Sequence, residues 1–119
     1  MAARMKGNKL ADIFRQAAAA HQEQRFGDAQ AGYKKILKRA PDDTDVLHLL
    51  GQSLIQEGRP EQAIRWLEKA VATGSADADA CYDLGLAHRK AGNIAEAVCA
   101  YRGALEIQPD MLNAHLSLV

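Results

Sequence analysis

Six side chains in this 119-residue sequence have the chemistry of metal ligands or nucleophiles, namely four histidines and two cysteines. They are His21, His48, His88, His115, Cys81 and Cys99. Imidazole and thiolate groups bind zinc when three or four of them converge on one point. A histidine beside a thiol can also act as the base that activates a nucleophile. Whether either chemistry is available depends on how the six residues are spaced.

The spacing favours neither a catalytic site nor a metal site. The sequence has no glycine-rich phosphate loop, no histidine pair at metalloprotease spacing and no closely spaced cysteine pair. His88 and His115 could approach each other, but two ligands make a poor metal site, and no carboxylate or thiol lies at an obvious helical offset. We therefore expect no catalytic residue, no metal and no cofactor. Both histidines are expected to take packing positions, with ring nitrogens bonded to backbone or water.

Cysteine usage and hydropathy bear on the location of the protein. The first ten residues, MAARMKGNKL, contain no apolar run of secretion-signal length. Cys81 and Cys99 are not closely spaced, so free thiols are expected rather than a disulfide. No apolar run approaches the roughly 18 residues that span a bilayer. These observations predict a cytoplasmic protein that does not bind membranes.

Composition and charge predict one soluble globular domain, since 48% of the residues are apolar and 25% are charged. The net charge of zero hides an asymmetry, because residues 1–43 hold nine Lys and Arg against five Asp and Glu, and residues 44–119 hold six against ten. The basic block of Lys34, Lys35, Lys38 and Arg39 could contact phosphates. The balanced total and the few aromatic residues favour a solvated helix face instead. Nucleic acid is therefore not expected as a partner.

The elements that must position these side chains recur every 34 residues. Gly51 and Gly85 are separated by this distance, and so are Gly58 and Gly92. The same offset aligns Ala29 with Ala63 and Ala97, Tyr33 with Leu67 and Tyr101, and Leu50 with Leu84 and Leu118, and twice the offset aligns Pro41 with Pro109. Periods of this length are typical of repeat architectures. The register predicts a basic leader at 1–9, units at 10–43, 44–77 and 78–111, and the start of a fourth unit at 112–119.

Each unit is predicted to contain two helices. Gly58 supplies the left-handed residue that ends a helix, and Pro60 begins the next one. In the third unit Gly92 is expected to end the first helix, and Asn93 with Glu96 has the spacing of a capping box. The mid-helix glycines are expected where a neighbouring helix comes too close for a side chain, and Ala17 fills their place in the first unit. Cys81 falls in the register of Leu47, which predicts a buried and inert thiol.

These registered residues resemble the tetratricopeptide repeat, as found in bacterial arrays of that family. The second unit carries the pattern in Leu47, Leu50, Gly51, Leu54, Ala63, Leu67 and Ala70, and the third in Cys81, Leu84, Gly85, His88, Ala97, Tyr101, Ala104 and Pro109. The first unit is degenerate in its opening helix but restores Ala29, Tyr33 and Pro41, and the second has Ser75 in place of the proline. The resemblance implies an all-α fold, an α-solenoid of stacked antiparallel helical hairpins that forms a right-handed superhelix with a concave groove. The expected repeat-packing residues are Ala17, Ala29, Tyr33, Leu50, Gly51, Ala63, Leu67, Leu84, Gly85, Ala97 and Tyr101.

The resemblance also implies a function, that of a non-catalytic scaffold which binds a partner peptide or helix of another protein. Ligands of the family usually lie along the first helices of successive units. Carried over to this sequence, that face predicts a groove formed by Phe14, His48, Gln52, Ile55, Tyr82, Leu86 and Arg89. Several of these are larger and more apolar than a solvated face requires, and others can bond a partner's backbone or carboxylates. Ile55 and Leu86 could instead only fill gaps between adjacent first helices.

Two ligand modes known in the family are not expected. A clamp for the C-terminal carboxylate of heat-shock chaperones needs lysine, asparagine and arginine, but the matching residues are Phe14, Ala18, Leu49, Asp79 and Asp83. The asparagine ladder of O-linked N-acetylglucosamine transferases would need asparagine where Arg15, Leu49, Asp83 and Ser117 stand. Neither set of side chains is present.

Two alternative functions remain open. The first is the substrate-recruiting arm of a larger bacterial glycosyl-, sulfo- or methyltransferase. The second is a homo-oligomeric structural module joined through the groove or through the exposed C-terminal end, where Leu118 and Val119 are apolar. An unpaired apolar end invites self-association. The interrupted register at this end predicts a segment of a longer array.

Overall fold

The chain folds into helices only, in the residues that the computed structural model describes, which are 2–73 and 77–118. The helices are α1 (Ala2–Gln22), α2 (Phe26–Arg39), α3 (Thr44–Gln56), α4 (Pro60–Ala72), α5 (Ala78–Lys90), α6 (Ile94–Ile107) and α7 (Leu112–Ser117). The all-α prediction is confirmed. None of these helices combines the length and the apolar character needed to cross a membrane.

Successive helices pack as antiparallel hairpins that stack on one another. The hairpins are α1 with α2, α3 with α4, and α5 with α6, and they are joined where α2 packs on α3 and α4 on α5. Helix α7 packs on α6, and α3 also touches α5. The stack measures 52 × 27 × 21 Å. This is the predicted solenoid of helical hairpins.

The predicted unit boundaries stay predictions, although some of the residues concerned can be placed. Residues 2–9 of the predicted leader belong to α1. Met1, Ser75 and Val119 lie outside the described residues.

The turns within the second and third hairpins form as the glycine positions predict. Gly58 and Gly92 have positive φ values of 87° and 89°. This left-handed conformation is open to glycine without a steric penalty. Pro60 is the first residue of α4, where its missing N–H leaves no helical hydrogen bond unmade.

The predicted capping box at Asn93 and Glu96 is wrong. The Asn93 side chain makes no capping hydrogen bond, because the ψ of 74° departs from the extended conformation of a normal N-cap. Its amide nitrogen lies 3.2 Å from Nδ1 of His88 across the turn instead. Side-chain caps occur at α3 and α5, where Asp43 accepts from the Val46 N–H at 3.2 Å and Asp77 from the Ala80 N–H at 2.7 Å.

The mid-helix glycines lie where two helices meet at short range. A Cβ added to Gly51 would lie 2.5 Å from Cγ of Leu67, and one added to Gly85 would lie 2.7 Å from the ring of Tyr101. In the first hairpin the close approach involves Ala17, whose Cβ would lie 2.7 Å from a Cβ added to Gly32. The expected repeat-packing residues are all buried except Leu84, which is half-buried.

Candidate functional site

A cavity of about 730 Å³ opens where α1, the turn after it, α2 and α3 meet, and we call it the α1–α3 cavity. Its lining residues are Ala18, His21, Gln22, Gln24, Phe26, Tyr33, Leu49, Gln52 and Gln56. Four of them are glutamines, and no lysine, arginine, aspartate or glutamate lies among the described residues that line it. The surface is therefore rich in amide donors and acceptors but carries no fixed charge.

His21 links the wall of the α1–α3 cavity to the core. Its Nε2 lies 2.8 Å from Oε1 of Gln56, and its Nδ1 lies 3.1 Å from the hydroxyl of Tyr33. An amide oxygen can only accept, so Nε2 carries the hydrogen of this pair, and in the neutral ring Nδ1 accepts from Tyr33. Burial raises the pKa of Tyr33, which keeps its hydroxyl protonated as the donor. The Gln56 carbonyl is therefore held in place by a chain of two hydrogen bonds.

A second polar cluster joins α3 to α5. Nε2 of His48 lies 2.5 Å from Oδ2 of Asp83, and the Gln52 amide nitrogen donates to the same oxygen at 3.0 Å. Burial lowers the pKa of His48, but the hydrogen bond and charge of Asp83, with the charges of Asp77 and Asp79, outweigh it, so the pKa is raised overall. When the ring is protonated, it forms a half-buried ion pair with the carboxylate between two successive first helices.

The predicted groove residues differ in exposure and in surroundings. Phe14 is 37% exposed and Arg89 is also exposed, whereas Ile55 is only 8% exposed and packs in the core. His48, Tyr82 and Leu86 are half-buried. The His48 ring is hydrogen-bonded to Asp83, and the Tyr82 ring centroid lies 5.5 Å from that of Tyr101. Gln52 is the predicted groove residue that lines the α1–α3 cavity. Contact of the seven with a partner stays a prediction.

Sequence reasoning missed the turn after α1 as part of the site. Gln24 has a φ of 61°, and it is the non-glycine residue with positive φ in the described chain. At the 34-residue offset Gln24 aligns with Gly58 and Gly92, which share its left-handed conformation. The register therefore contained a usable signal, since a glutamine stands where the other two units have glycine.

The other histidines and the thiols contribute no assembled site. His88 is buried beside Asn93, as its packing role predicts, but His115 is exposed, so its predicted packing role is wrong. Nε2 of His115 donates to the Pro109 carbonyl at 2.7 Å, because α7 places the ring against the preceding turn. Within the described residues no three His, Cys, Asp or Glu side chains converge as metal ligands would.

The two cysteines are free thiols in different surroundings. Cys81 is buried, and Cys99 is exposed. Burial and then the charge of Asp77 raise the pKa of Cys81, which favours the unreactive thiol form. Cys81 therefore packs as a small apolar side chain.

Family models and a relative of known name match most of this chain. Two family models, both described as tetratricopeptide repeat, match residues 20–84 and 78–111. Cellulose synthase operon protein C of Pseudomonas fluorescens (strain SBW25) is 32% identical over an alignment of 97 residues that covers 75% of this chain. The chain spans only 8% of the length of that relative.

Solved structures share the fold over nearly the whole chain. MamA protein superposes with a TM-score of 0.88 at 27% identity, over 94% of this chain and 61% of that one. The O-GlcNAc transferase of Thermobaculum terrenum, studied as its K341M mutant, superposes with a TM-score of 0.81 at 27% identity, over 94% of this chain and 22% of that one. The first TPR of Spaghetti (RPAP3), bound to the HSP90 peptide SRMEEVD, has a TM-score of 0.87 at 18% identity, over 93% of this chain and 88% of that one, which shows the fold alone.

Proposed function

Because the chain belongs to the tetratricopeptide repeat family, whose repeats mediate protein–protein interaction, we propose that it is a non-catalytic module that binds a segment of a partner protein in its groove. The observation that carries the proposal is the α1–α3 cavity of about 730 Å³. Its His21 and Gln56 side chains are already hydrogen-bonded in place. A preformed surface loses little side-chain entropy when a partner binds.

The groove is proposed to continue from the α1–α3 cavity along α5. Tyr82 and Leu86 are half-buried there, and Arg89 is exposed at the end of the helix. Such a surface offers apolar contact area together with a cationic donor for a partner's carbonyl or carboxylate. The bound segment would then cross two successive first helices, α3 and α5.

The HSP90 peptide held by the Spaghetti repeat is acidic, with the ending EEVD. We propose a different ligand for this chain, because Asp79 and Asp83 stand at places where a carboxylate clamp needs basic or amide groups. The Asp83 carboxylate is already occupied by His48 and Gln52. A second carboxylate at this place would meet a like charge.

Capture of a partner by variants of the chain tests the proposal. Gln52→Ala combined with Tyr82→Ser should lower recovery of the partner from a lysate of the source cells, with an unchanged helical circular dichroism spectrum. Gln62→Ala, an exposed glutamine of α4, is the matched control and should recover the partner normally. Equal recovery by the double variant and the control would refute the proposed groove.

A second candidate function is the substrate-recruiting arm of a larger transferase. It is favoured by the likeness to the O-GlcNAc transferase, of which the matched region is 22% of the chain. In that case a parent polypeptide with a transferase domain would modify the captured partner, and the Gln52→Ala, Tyr82→Ser variant would modify it more slowly. Mass spectrometry of the partner measures this. A parent polypeptide without a transferase domain would exclude the candidate.

A further inference from the structure

The turn after α1 holds a strained residue whose side chain reaches the α1–α3 cavity. Gln24 has a φ of 61°, whereas Gly58 and Gly92 hold the same place in the next two hairpins. A side chain in this conformation brings its Cβ too close to the following carbonyl, and glycine avoids that contact. Strained backbone persists where the surroundings or the function require it. Here the glutamine adds an amide to the cavity that glycine would lack.

The side-chain amides of Gln52 and Gln56 also line the cavity, and a hydrogen bond at one end of each amide fixes its orientation. The carbonyl of Gln56 is taken by His21, so its NH2 group is free to donate. The NH2 group of Gln52 lies against Asp83 and His48, and its carbonyl has no hydrogen-bond partner among the described residues, so it can accept. The two residues lie four apart on α3, which places them about 6 Å apart along the helix axis. Backbone groups on one side of an extended peptide repeat every two residues, about 6.6 Å.

The lining also limits the charge of the ligand. No charged side chain lies among the described residues of the cavity, so a buried charge on the ligand would lose hydration without gaining a partner. A sugar ring that bound by stacking would need an open aromatic face. Tyr33 is 0% exposed, and the Phe26 ring packs against His21 with centroids 6.1 Å apart. These observations favour a peptide over a glycan.

We infer that the α1–α3 cavity binds the backbone of an extended, uncharged peptide segment through the amides of Gln24, Gln52 and Gln56. This inference rests on the proposed function and specifies the chemistry of the segment. Gln56 donates to a backbone carbonyl and Gln52 accepts from a backbone N–H about two residues away. Gln24 adds a third amide from the turn after α1. The segment is chosen by its extended shape and lack of charge, since the amides contact atoms that every residue has.

A random library of 12-residue peptides, acetylated and amidated at the ends, tests the ligand class. Peptides selected on the full chain should be uncharged over the stretch that occupies the cavity. Methylation of single backbone nitrogens should lower affinity about 10-fold at alternate positions, because each removes one donor. Selected peptides that depend on a charged residue, or that tolerate methylation throughout, would overturn the inference.

Variants of the glutamines test the residues. Gln52→Ala and Gln56→Ala should each weaken binding of the selected peptide about 10-fold, and Gln62→Ala on α4 should leave it unchanged. Gln24→Gly should weaken binding while raising the melting temperature by about 4 °C, because it relieves the strained turn. If Gln24 had only a structural role, Gln24→Gly would change the melting temperature and leave peptide binding unchanged. That result would contradict its role in binding.

The outcomes separate this inference from the proposed function. A peptide that binds the chain and is insensitive to all three glutamine variants leaves the scaffold function standing and removes the inference. Failure of both the library and the lysate to yield any binding partner removes both. Cellohexaose that binds with the same dependence on glutamine, measured by isothermal titration, would assign the cavity to a glycan and overturn the inference alone.

Discussion

Nε2 of His48 lies 2.5 Å from Oδ2 of Asp83, and this contact connects α3 to α5, the first helices of two successive hairpins. The two side chains are only 15% and 13% exposed. Their interaction is therefore screened less by solvent than a surface ion pair would be. It links the α1–α3 cavity, through Gln52, to the next hairpin.

The stability of the fold should depend on pH through this pair. The pKa of His48 is raised in the folded chain, so its stabilising effect is complete below the unfolded value of about 6.5 and is lost as the pH rises through the folded value. The free energy of unfolding, measured by urea denaturation, should fall across that window. Asp83→Asn should remove this part of the slope. An identical slope in both proteins would contradict the assignment.

The close approach at Gly85 should make even a methyl group destabilising there. A Cβ at this position would lie 2.7 Å from the Tyr101 ring, so Gly85→Ala should lower the free energy of unfolding by roughly 1–3 kcal/mol through overpacking. Gly103 of α6 has no atom within 4 Å of an added Cβ, so Gly103→Ala should raise it by about 1 kcal/mol. Thermal or urea unfolding measures both. Equal effects of the two substitutions would be inconsistent with the packing described.

Two tyrosines in the same register should respond oppositely to loss of their hydroxyl. Tyr33 is bonded to His21, so Tyr33→Phe should lower the free energy of unfolding by about 1 kcal/mol. The Tyr101 hydroxyl is buried without a hydrogen-bond partner in the described residues. Ser117 lies near it without meeting hydrogen-bond geometry, and the Ser117 hydroxyl donates to the Asn113 carbonyl. Tyr101→Phe should therefore raise the free energy by about 1 kcal/mol, and a loss comparable to that of Tyr33→Phe would contradict this account.

The two thiols should react at very different rates. Cys99 is exposed, whereas burial and the charge of Asp77 raise the pKa of the buried Cys81. An aromatic disulfide reagent at pH 8 should therefore modify one thiol quickly and the second only after unfolding in urea. Cys99→Ser should abolish the fast phase. A fast phase that survives this substitution would show that Cys81 is accessible.

The features that sequence predicts correctly here are those set by local sterics and by the period. Gly58 and Gly92 adopt positive φ because the helix ends there, and Gly51 faces Leu67 because the 34-residue register fixes which positions meet. The first outcome is local to the turn, and the second is a contact within one hairpin that recurs with the period. The same register would have identified Gln24 as unusual, since it is the unit position that glycine otherwise fills.

The features that sequence does not predict depend on contacts that do not recur with the 34-residue period. Asn93 has the spacing of a cap, yet its amide lies beside His88, five residues earlier in the chain. The α1–α3 cavity needs three helices and a turn to converge, so no local pattern marks its lining. For Ile55 the sequence left both a groove position and a packing position open, and its side chain packs into the core.

The linear stacking of the hairpins has a mechanical consequence. Apart from α3 and α5, the principal contacts join helices that are adjacent in the chain, and the described stack is 52 Å long. We call the contact between two neighbouring hairpins a joint. A force along the long axis would act on each joint separately, since each repeat is held only by its neighbours. Small rotations at the joints would add up to a bend of the described stack. The α1–α3 cavity lies within the first joint, so we expect flexing between α3 and α5 to redirect the later part of the groove while the cavity keeps its shape.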